Sequence, residues 1–346
     1  MSYKATFILG VPDHKMVKVG GVDKKGGLIY RIEGNAEFHN YLKIPQENKQ
    51  NLLIVWSEKP ITQIGATNII INCITDPDST GKSLRKAAQM TNAIKKQYPH
   101  IPIFNDPARV RDTSREKIYQ KYNGLPGVYI PKVVRIKPKS ATNVLQLAHE
   151  NNFKFPFLVR SCGSHESRNF YLINKDNIEL LEKFAYDGSE LYLTEFVDYK
   201  SNDGLYHKAR LVIIGGKICP RHYMTGESWM VHGDLHETYM ANNETAKKDE
   251  FLFINNFRKI VSKQALDSFM EIYKQSGLDY LGFDFAIKQD GSVLIFEINP
   301  AQNPFIKLNH DDFPYMKDTR NNIIQSLNDA VILKIKHHKL ATAVVQ

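Results

Sequence analysis

Apolar and polar positions along this chain fall into short, punctuated blocks. NLLIVW (51–56) and NIIINCI (68–74) are brief, continuous and rich in branched residues, the pattern of strands buried on both faces. IPIF (101–104) is a third such block. Between the last two lies DPDSTGKSLRKAAQMTNAIKKQYPH, a helix that Asp78 or Ser79 can cap and that runs to about Tyr98, where Pro99 stops it. A strand–helix–strand unit implies a parallel sheet, here a small Rossmann-like N-terminal domain. The first 50 residues are less legible, and Gly20, Gly21, Gly26 and Gly27 suggest turns between short strands. STGKS at the helix start resembles the end of a phosphate-binding loop. That motif needs a glycine five residues before Gly81, and Asp76 stands there instead.

From Asp106 the texture changes. A basic helix is predicted around 113–122, a turn at Leu125-Pro126-Gly127, strands ending at Pro131 and near Ile136, and a helix at about 141–151. FPFLVR (155–160) is a strand running into SCGSHES, FYLI (170–173) pairs back on it, NKDNIELLEKF (174–184) reads as a capped helix, and LYLTEFV (191–197) is a further strand. Residues 205–222 form a hairpin turning at Gly215-Gly216, and 262–277 a helix stopped by Gly277. Residues 280–299 form a second hairpin, and 318–336 a closing amphipathic helix.

The second hairpin carries the chemistry. Asp290-Gly291 is the strongest short turn signal in the chain. A turn centred there sets Asp284 opposite Glu297, with Asn299 one step along the same face. Strict alternation puts Leu294, Phe296 and Ile298 on one side and Ile295, Glu297 and Asn299 on the other. Like charges set opposite each other destabilise a hairpin unless something neutralises them. An all-oxygen set suits magnesium, which takes one or two carboxylates and completes its shell with water and phosphates. The alternative is two acidic residues pointing to solvent, and a three-residue loop would shift the register by one. A site of this kind implies a nucleotide. Arg160 at a strand end, then Gly163 and Ser164 in a small-residue loop, could cradle its phosphates, although Arg160 could also serve a surface ion pair.

Taken in order from about Asn72 to Pro300, these pieces resemble the ATP-grasp superfamily. The resemblance implies an α/β (α+β) fold: a Rossmann-like pre-ATP-grasp domain (1–105), an N-terminal lobe with a phosphate lid (106–200), a C-terminal lobe with the metal site (201–336) and a basic tail (337–346). NDP at 105–107 matches the end of the pre-domain, and GVYIP (127–131) a later step. Arg115 matches the basic residue expected on a helix, with Lys117 the alternative. Through the same resemblance, Glu195, Phe196 and Val197 of TEFV form the adenine hinge, and Asp198 serves the ribose. Lys208 and Arg210 of KAR become phosphate or substrate cations, and Asp284, Glu297 and Asn299 the magnesium ligands. YLTEFVDYKSNDGLYHKARLVIIGGK and HYMTGESWMVH are similar to a little-characterised bacterial subgroup. That likeness puts Arg221, His222, Trp229 and His232 on the acceptor side, a packed surface being the alternative. Two departures stand out. Arg160 replaces the family's usual Lys, and Glu166 and Arg168 occupy a lid usually richer in glycine, which implies a lid that is stiffer or that orders only once substrate binds.

The implied activity is ATP-dependent, magnesium-requiring ligation of a carboxylate to an amine, or to a thiol or hydroxyl, through an acyl phosphate. Arg210, Arg160 and Lys208 would be the catalytic cations. No protein nucleophile is required, so Cys162→Ser should leave turnover largely intact. A near-complete loss in a steady-state assay would overturn that expectation.

Composition narrows this picture without redirecting it. With 346 residues, 42% hydrophobic and 24% charged, the chain is an ordinary folded protein of two or three subdomains. No run of about 18 apolar residues predicts a membrane span, and the apolar stretch at the N-terminus is too short for a signal peptide. The 3 cysteines fit neither a disulfide framework nor a zinc spacing, which points to the cytoplasm. The net charge of +9 is scattered, dense only in KIKHHK (334–339), and no nucleic-acid recognition motif accompanies it. The expected partners are a small-molecule carboxylate and an amine, or a ribosomal peptide or protein, for which the charge favours an acidic acceptor. A non-catalytic nucleotide- or nucleic-acid-binding module is the third alternative, and a homodimer the default assembly.

Overall fold

The computed structural model describes residues 3–23, 26–54, 64–164, 169–300, 302–305, 308 and 311–343. Part of the expected lid, including Glu166 and Arg168, and the end of the 51–56 strand lie outside the described residues.

The N-terminal third builds a parallel sheet. Its strands are β1 (Ala5–Gly10), β4 (Lys49–Ile54), β5 (Ile69–Asn72) and β6 (Ile103–Phe104), in the order β4-β1-β5-β6. β1, illegible in the sequence, lies at the sheet's centre. A separate ribbon, β2 (Lys18–Val22) with β3 (Leu28–Arg31), stands outside it. Helix α1 (Gly81–Gln97) follows β5, with Thr80 in the capping position but without a side-chain cap. The caps expected from Asp78 or Ser79 come instead from Asp13 in a neighbouring loop, whose carboxylate accepts from Lys82 N at 3.0 Å.

The sheet is buried on both sides. Ile8 and Ile70 join a core shared with the C-terminal helices, while Phe7, Ile69 and Ile71 pack with the long terminal helix. Asn105, at φ +54°, locks this sheet to the C-terminal part. Its side-chain oxygen accepts from Asp279 N and Tyr280 N at 2.9 Å each, and its own N–H donates to Asp279 at 2.8 Å. That is the physical use of the NDP step.

Helix α2 (Arg115–Tyr122) and strand β7 (Val128–Tyr129) lead into a second sheet. It comprises β8 (Val133–Ile136), β9 (Phe157–Ser161), β10 (Phe170–Ile173) and β11 (Leu191–Glu195), with α3 (Ala141–Glu150) packed on it around Val144 and Val159. The helix expected at 174–184 is a six-residue 3₁₀ turn, Ile178–Lys183. Short connecting turns often take this tighter form.

The third sheet runs β13-β12-β14-β15-β7. It contains β12 (Tyr206–Ile214), β13 (Lys217–Gly226), β14 (Tyr280–Ile287) and β15 (Val293–Asn299). Helices α4 (Glu244–Ile260) and α5 (Lys263–Ser276) cover one face, and α6 (Tyr315–Ala343) closes the chain. Helix α4 had no counterpart in the pattern reading. Asn243 caps it through Ala246 N at 3.0 Å, and a kink at Asn256 interrupts its periodicity. No helix among the described residues is long and apolar enough to cross a membrane.

Candidate functional site

The site begins with a row across four strands. His222 of β13 pairs with Arg210 of β12, Arg210 with Asp284 of β14, and Asp284 with Glu297 of β15. The pairing expected for the two carboxylates holds, but by a different route. Lys288 N bonds Ser292 O at 2.8 Å and closes a three-residue loop, with Gly291 at φ +77°. That loop shifts the register by one, pairing Phe285 with Ile295. A bulge between Asp284 and Phe285 on the pairing ladder then restores Asp284 opposite Glu297. The bulge also corrects the expected faces. Val293, Ile295 and Ile298 turn into the helix-covered core, whereas Leu294, Phe296 and Glu297 line the cleft. Strict alternation fails wherever an extra residue enters a strand.

The like charges are neutralised from within the chain. Asp284 is only 2% exposed. Its Oδ1 accepts from Arg210 Nε at 2.6 Å and Gln302 Nε2 at 2.7 Å. Its Oδ2 accepts from Arg210 Nη2 at 2.9 Å and lies 2.9 Å from Lys208 Nζ. Burial works to raise this carboxyl, yet Arg210 and then Lys208 hold it far below the usual carboxylate range. Glu297 Oε1 accepts from Arg115 Nη2 at 2.7 Å and from Asn299 Nδ2 at 3.3 Å. Burial also opposes its ionisation, yet Arg115, with Arg160 and Lys208, holds it below its ordinary value. Gln302 reaches Asp284 only because residue 282 is glycine, since a Cβ there would sit 2.0 Å from Gln302 Oε1.

These residues floor a cleft of about 560 Å³ between the second and third sheets. Arg115, Arg160, Lys208 and Arg210 line it together with Asp284 and Glu297, an excess of cations over carboxylates at the floor. Lys117 pairs instead with Asp112 on the surface at 3.0 Å, so Arg115 is the basic helix residue that reaches the cleft. Glu195, Phe196 and Val197 line the far wall. The Glu195 carboxylate is tied to Lys132 N at 3.0 Å and Tyr129 Oη at 2.8 Å, which fixes the strand's exit. Asp198 is exposed, does not line the cleft, and accepts from Lys200 N at 3.1 Å. Arg221, His222, Trp229 and His232 all line the cleft. Trp229 meets Phe170 and Phe196 edge-on, with centroids 5.5 and 5.8 Å apart. Burial and Arg210 keep the His222 imidazole well below its ordinary value, hence neutral.

Arg160 guards the join to a second, narrower cleft. Its guanidinium stacks over Phe170 at 5.2 Å and donates to the Ser164 carbonyl. Burial and the nearby Arg115 pull it down to about 10, a cation without a carboxylate at ion-pair distance among the described residues. Gly163, Ser164 and Asn299 line this second cleft, together with Asp78 and Tyr192. Gly163 has φ +71°, and a Cβ there would meet Ser79 of the N-terminal domain at 3.3 Å. Arg135 holds the lining Asp78 from behind, pairing with it at 2.5 Å, with Glu116 at 2.9 Å and with Glu190 at 2.7 Å. Burial pushes the Cys162 thiol up, so it is not a poised thiolate.

Several lining residues were not singled out in the sequence: Phe170 and His236, and Met224 and Met230 within HYMTGESWMVH, all line the large cleft. Gln302 had a usable signal, since it lies five residues beyond Glu297 in the same polar-rich stretch.

No protein-family model matches this sequence, and no curated protein matches it significantly. Solved structures do. A RimK-domain ATP-grasp protein from Sphaerobacter thermophilus aligns over 95% of this chain and 99% of its own, with TM-score 0.50 and 11% identity. D-alanine–D-alanine ligase from Bacillus anthracis aligns over 99% and 98%, with TM-score 0.50 and 14% identity. The ATP-grasp ligase PsnB, solved with a phosphomimetic variant of its minimal precursor, Mg and ADP, aligns over 97% and 100%, with TM-score 0.50 and 12% identity. Coverage is nearly complete in both directions each time. This chain has the ATP-grasp fold.

Proposed function

We propose that the protein is an ATP-dependent ligase that activates a carboxylate as an acyl phosphate and passes the acyl group to an amine. One observation carries this reading. Arg115, Arg160, Lys208 and Arg210 converge around Asp284 and Glu297 in one cleft, where the local positive surplus suits a polyphosphate. The apolar wall at Phe196, Val197 and Trp229 suits a purine ring. Phosphoryl transfer asks of a protein mainly positioning and charge neutralisation, and these residues can supply both. Arg210 and Arg160 would offset charge on the transferring group, and Lys208 would bind ATP phosphate oxygens. The neutral His222 lies on the acceptor side, next to Arg210.

The donor chemistry fits a hard divalent ion. Glu297 Oε2 has no donor among the described residues, and Asp284 and the Asn299 amide add further oxygens. Such an ion would offset phosphate charge during transfer. Asp284, however, already accepts four contacts, which fill both its oxygens. It can take a metal only if Lys208 or Gln302 lets go, and ATP phosphates are the fitting new partner for Lys208. Magnesium alone should therefore bind too weakly to register in calorimetric titration, and tightly once ATP is present. Submicromolar magnesium binding without nucleotide would contradict this order.

The activity is tested by incubating the protein with ATP, magnesium and a mixed pool of amino acids and peptides. ADP release together with a condensed product mass is expected. ATP binding without either would reduce the protein to a nucleotide-binding module.

A further inference from the structure

The ribbon β2–β3 forms a two-stranded sheet of its own. It pairs with no other strand among the described residues, so both of its outer edges present open backbone N–H and C=O groups. Its register sets Val19 opposite Tyr30 and Val22 opposite Leu28. Tyr30 and Leu28 are two apart, so all four side chains share one face. Their exposures are 57%, 58%, 62% and 54% for Val19, Tyr30, Val22 and Leu28, so among the described residues nothing packs over that face. The opposite face carries Lys18 and Arg31, which are cross-strand partners. From residue 13 to 33 the sequence places Lys15, Lys18, Lys24, Lys25 and Arg31 against Asp13, Asp23 and Glu33, with Glu33 paired to Lys18.

We propose that this ribbon docks an extended, acidic peptide segment, which adds to it as a third strand and lays alternate apolar side chains on the Val19–Tyr30–Val22–Leu28 face. Strand addition uses backbone hydrogen bonds for affinity and alternate side chains for selectivity, and the ribbon offers both. Charge decides between occupants. A second copy of this chain would bring the same basic ribbon, within a protein of net charge +9, against itself. An acidic strand would instead meet opposite charge. The ribbon is rooted beside the nucleotide lobes. Asp13 N donates to Ser79 O at 2.8 Å, and Thr75 N to Gly34 O at 2.9 Å. Both contacts reach the turn that walls the second cleft, so a docked peptide would be held at that cleft's edge. Peptide capture needs no nucleotide, so the docking stands apart from the ligase reading.

The test is fluorescence anisotropy, without ATP, of a labelled decapeptide of alternating glutamate and valine. The wild type should bind it, with affinity that falls as salt rises. The double variant Val19→Ser/Tyr30→Ser should bind at least about tenfold more weakly, because two central apolar contacts are gone. Its thermal midpoint should stay near that of the wild type, since neither side chain is buried. A glutamate–proline decapeptide, in which every second residue lacks an N–H and proline's fixed φ resists the pleated conformation, should not bind, nor should a lysine–valine one. Several outcomes overturn the proposal: no binding of the glutamate–valine peptide by the wild type, equal binding of the proline peptide, or equal binding by the double variant. A wild-type dimer in sedimentation that the double variant breaks would assign the face to a second copy. Capture of a labelled single-stranded DNA that the double variant abolishes would assign it to nucleic acid.

Discussion

Glu297→Gln should lower magnesium-dependent ATP turnover by about 10²- to 10³-fold, the range for losing one strong electrostatic contact to a transferring group. The change is nearly isosteric, so the strand and its bulge should survive. What goes is the charge beside Asp284 and the ion pair with Arg115 at 2.7 Å. Arg115 also donates to the Phe296 carbonyl at 3.1 Å, which keeps it in place when the carboxylate becomes an amide. Nucleotide affinity measured in excess EDTA should therefore change little, or rise, because one negative charge has left the phosphate site. Turnover should fall with magnesium at any concentration. Wild-type turnover in Glu297→Gln, measured as ADP release with the same substrate pool, would remove Glu297 from the mechanism. A collapse of ATP affinity in EDTA would make it a structural residue instead.

The sequence disclosed much of this site because its parts lie where local rules are strong. Asp290-Gly291 marks a turn whichever loop length is used, so the hairpin itself was secure. The register was not. A three-residue loop and a bulge each move it by one, and they cancel at Asp284 but not at Ile295 or Leu294. Alternation therefore assigned the correct carboxylate pair to a partly wrong face. The bulge was invisible because it answers to packing: it turns Ile295 into the core shared with Phe283 and Phe285 while leaving Glu297 in the cleft.

The supposed need for a metal to neutralise the pair was an artefact of reading two strands alone. Arg210 and Lys208 come from a strand about 75 residues upstream and Arg115 from a helix still earlier, contacts that no local pattern contains. For the same reason β1 was unreadable: its partners β4 and β5 are brought beside it only by the tertiary fold. Asp198 shows the opposite failure. It sits where the family resemblance wants a ribose ligand, yet it faces solvent and serves the local turn at Lys200.

Asp284→Asn should be the most destabilising conservative change at the site, at about 3 kcal/mol or more in the nucleotide-free protein, because it strips a buried cluster of its anion. Arg210 and Lys208, each less than one-fifth exposed, would be left facing an amide that cannot balance them. The pH dependence has a definite sign. The folded carboxyl lies below its unfolded value of about 3.9, so the wild type's contribution is complete above roughly pH 5 and is lost as pH falls through the depressed folded value. Between pH 7 and 3 the wild type should therefore lose stability that the variant never had, and the gap between their urea midpoints should narrow with acid. ATP supplies a discriminating control. With EDTA present, its phosphates can stand in for the missing carboxylate opposite Arg210 and Lys208, so ATP should raise the melting temperature of Asp284→Asn more than that of the wild type. Equal shifts would mean that the two cations do not bind the nucleotide. An unchanged urea midpoint at pH 7 would mean that they find solvent as easily as they find Asp284.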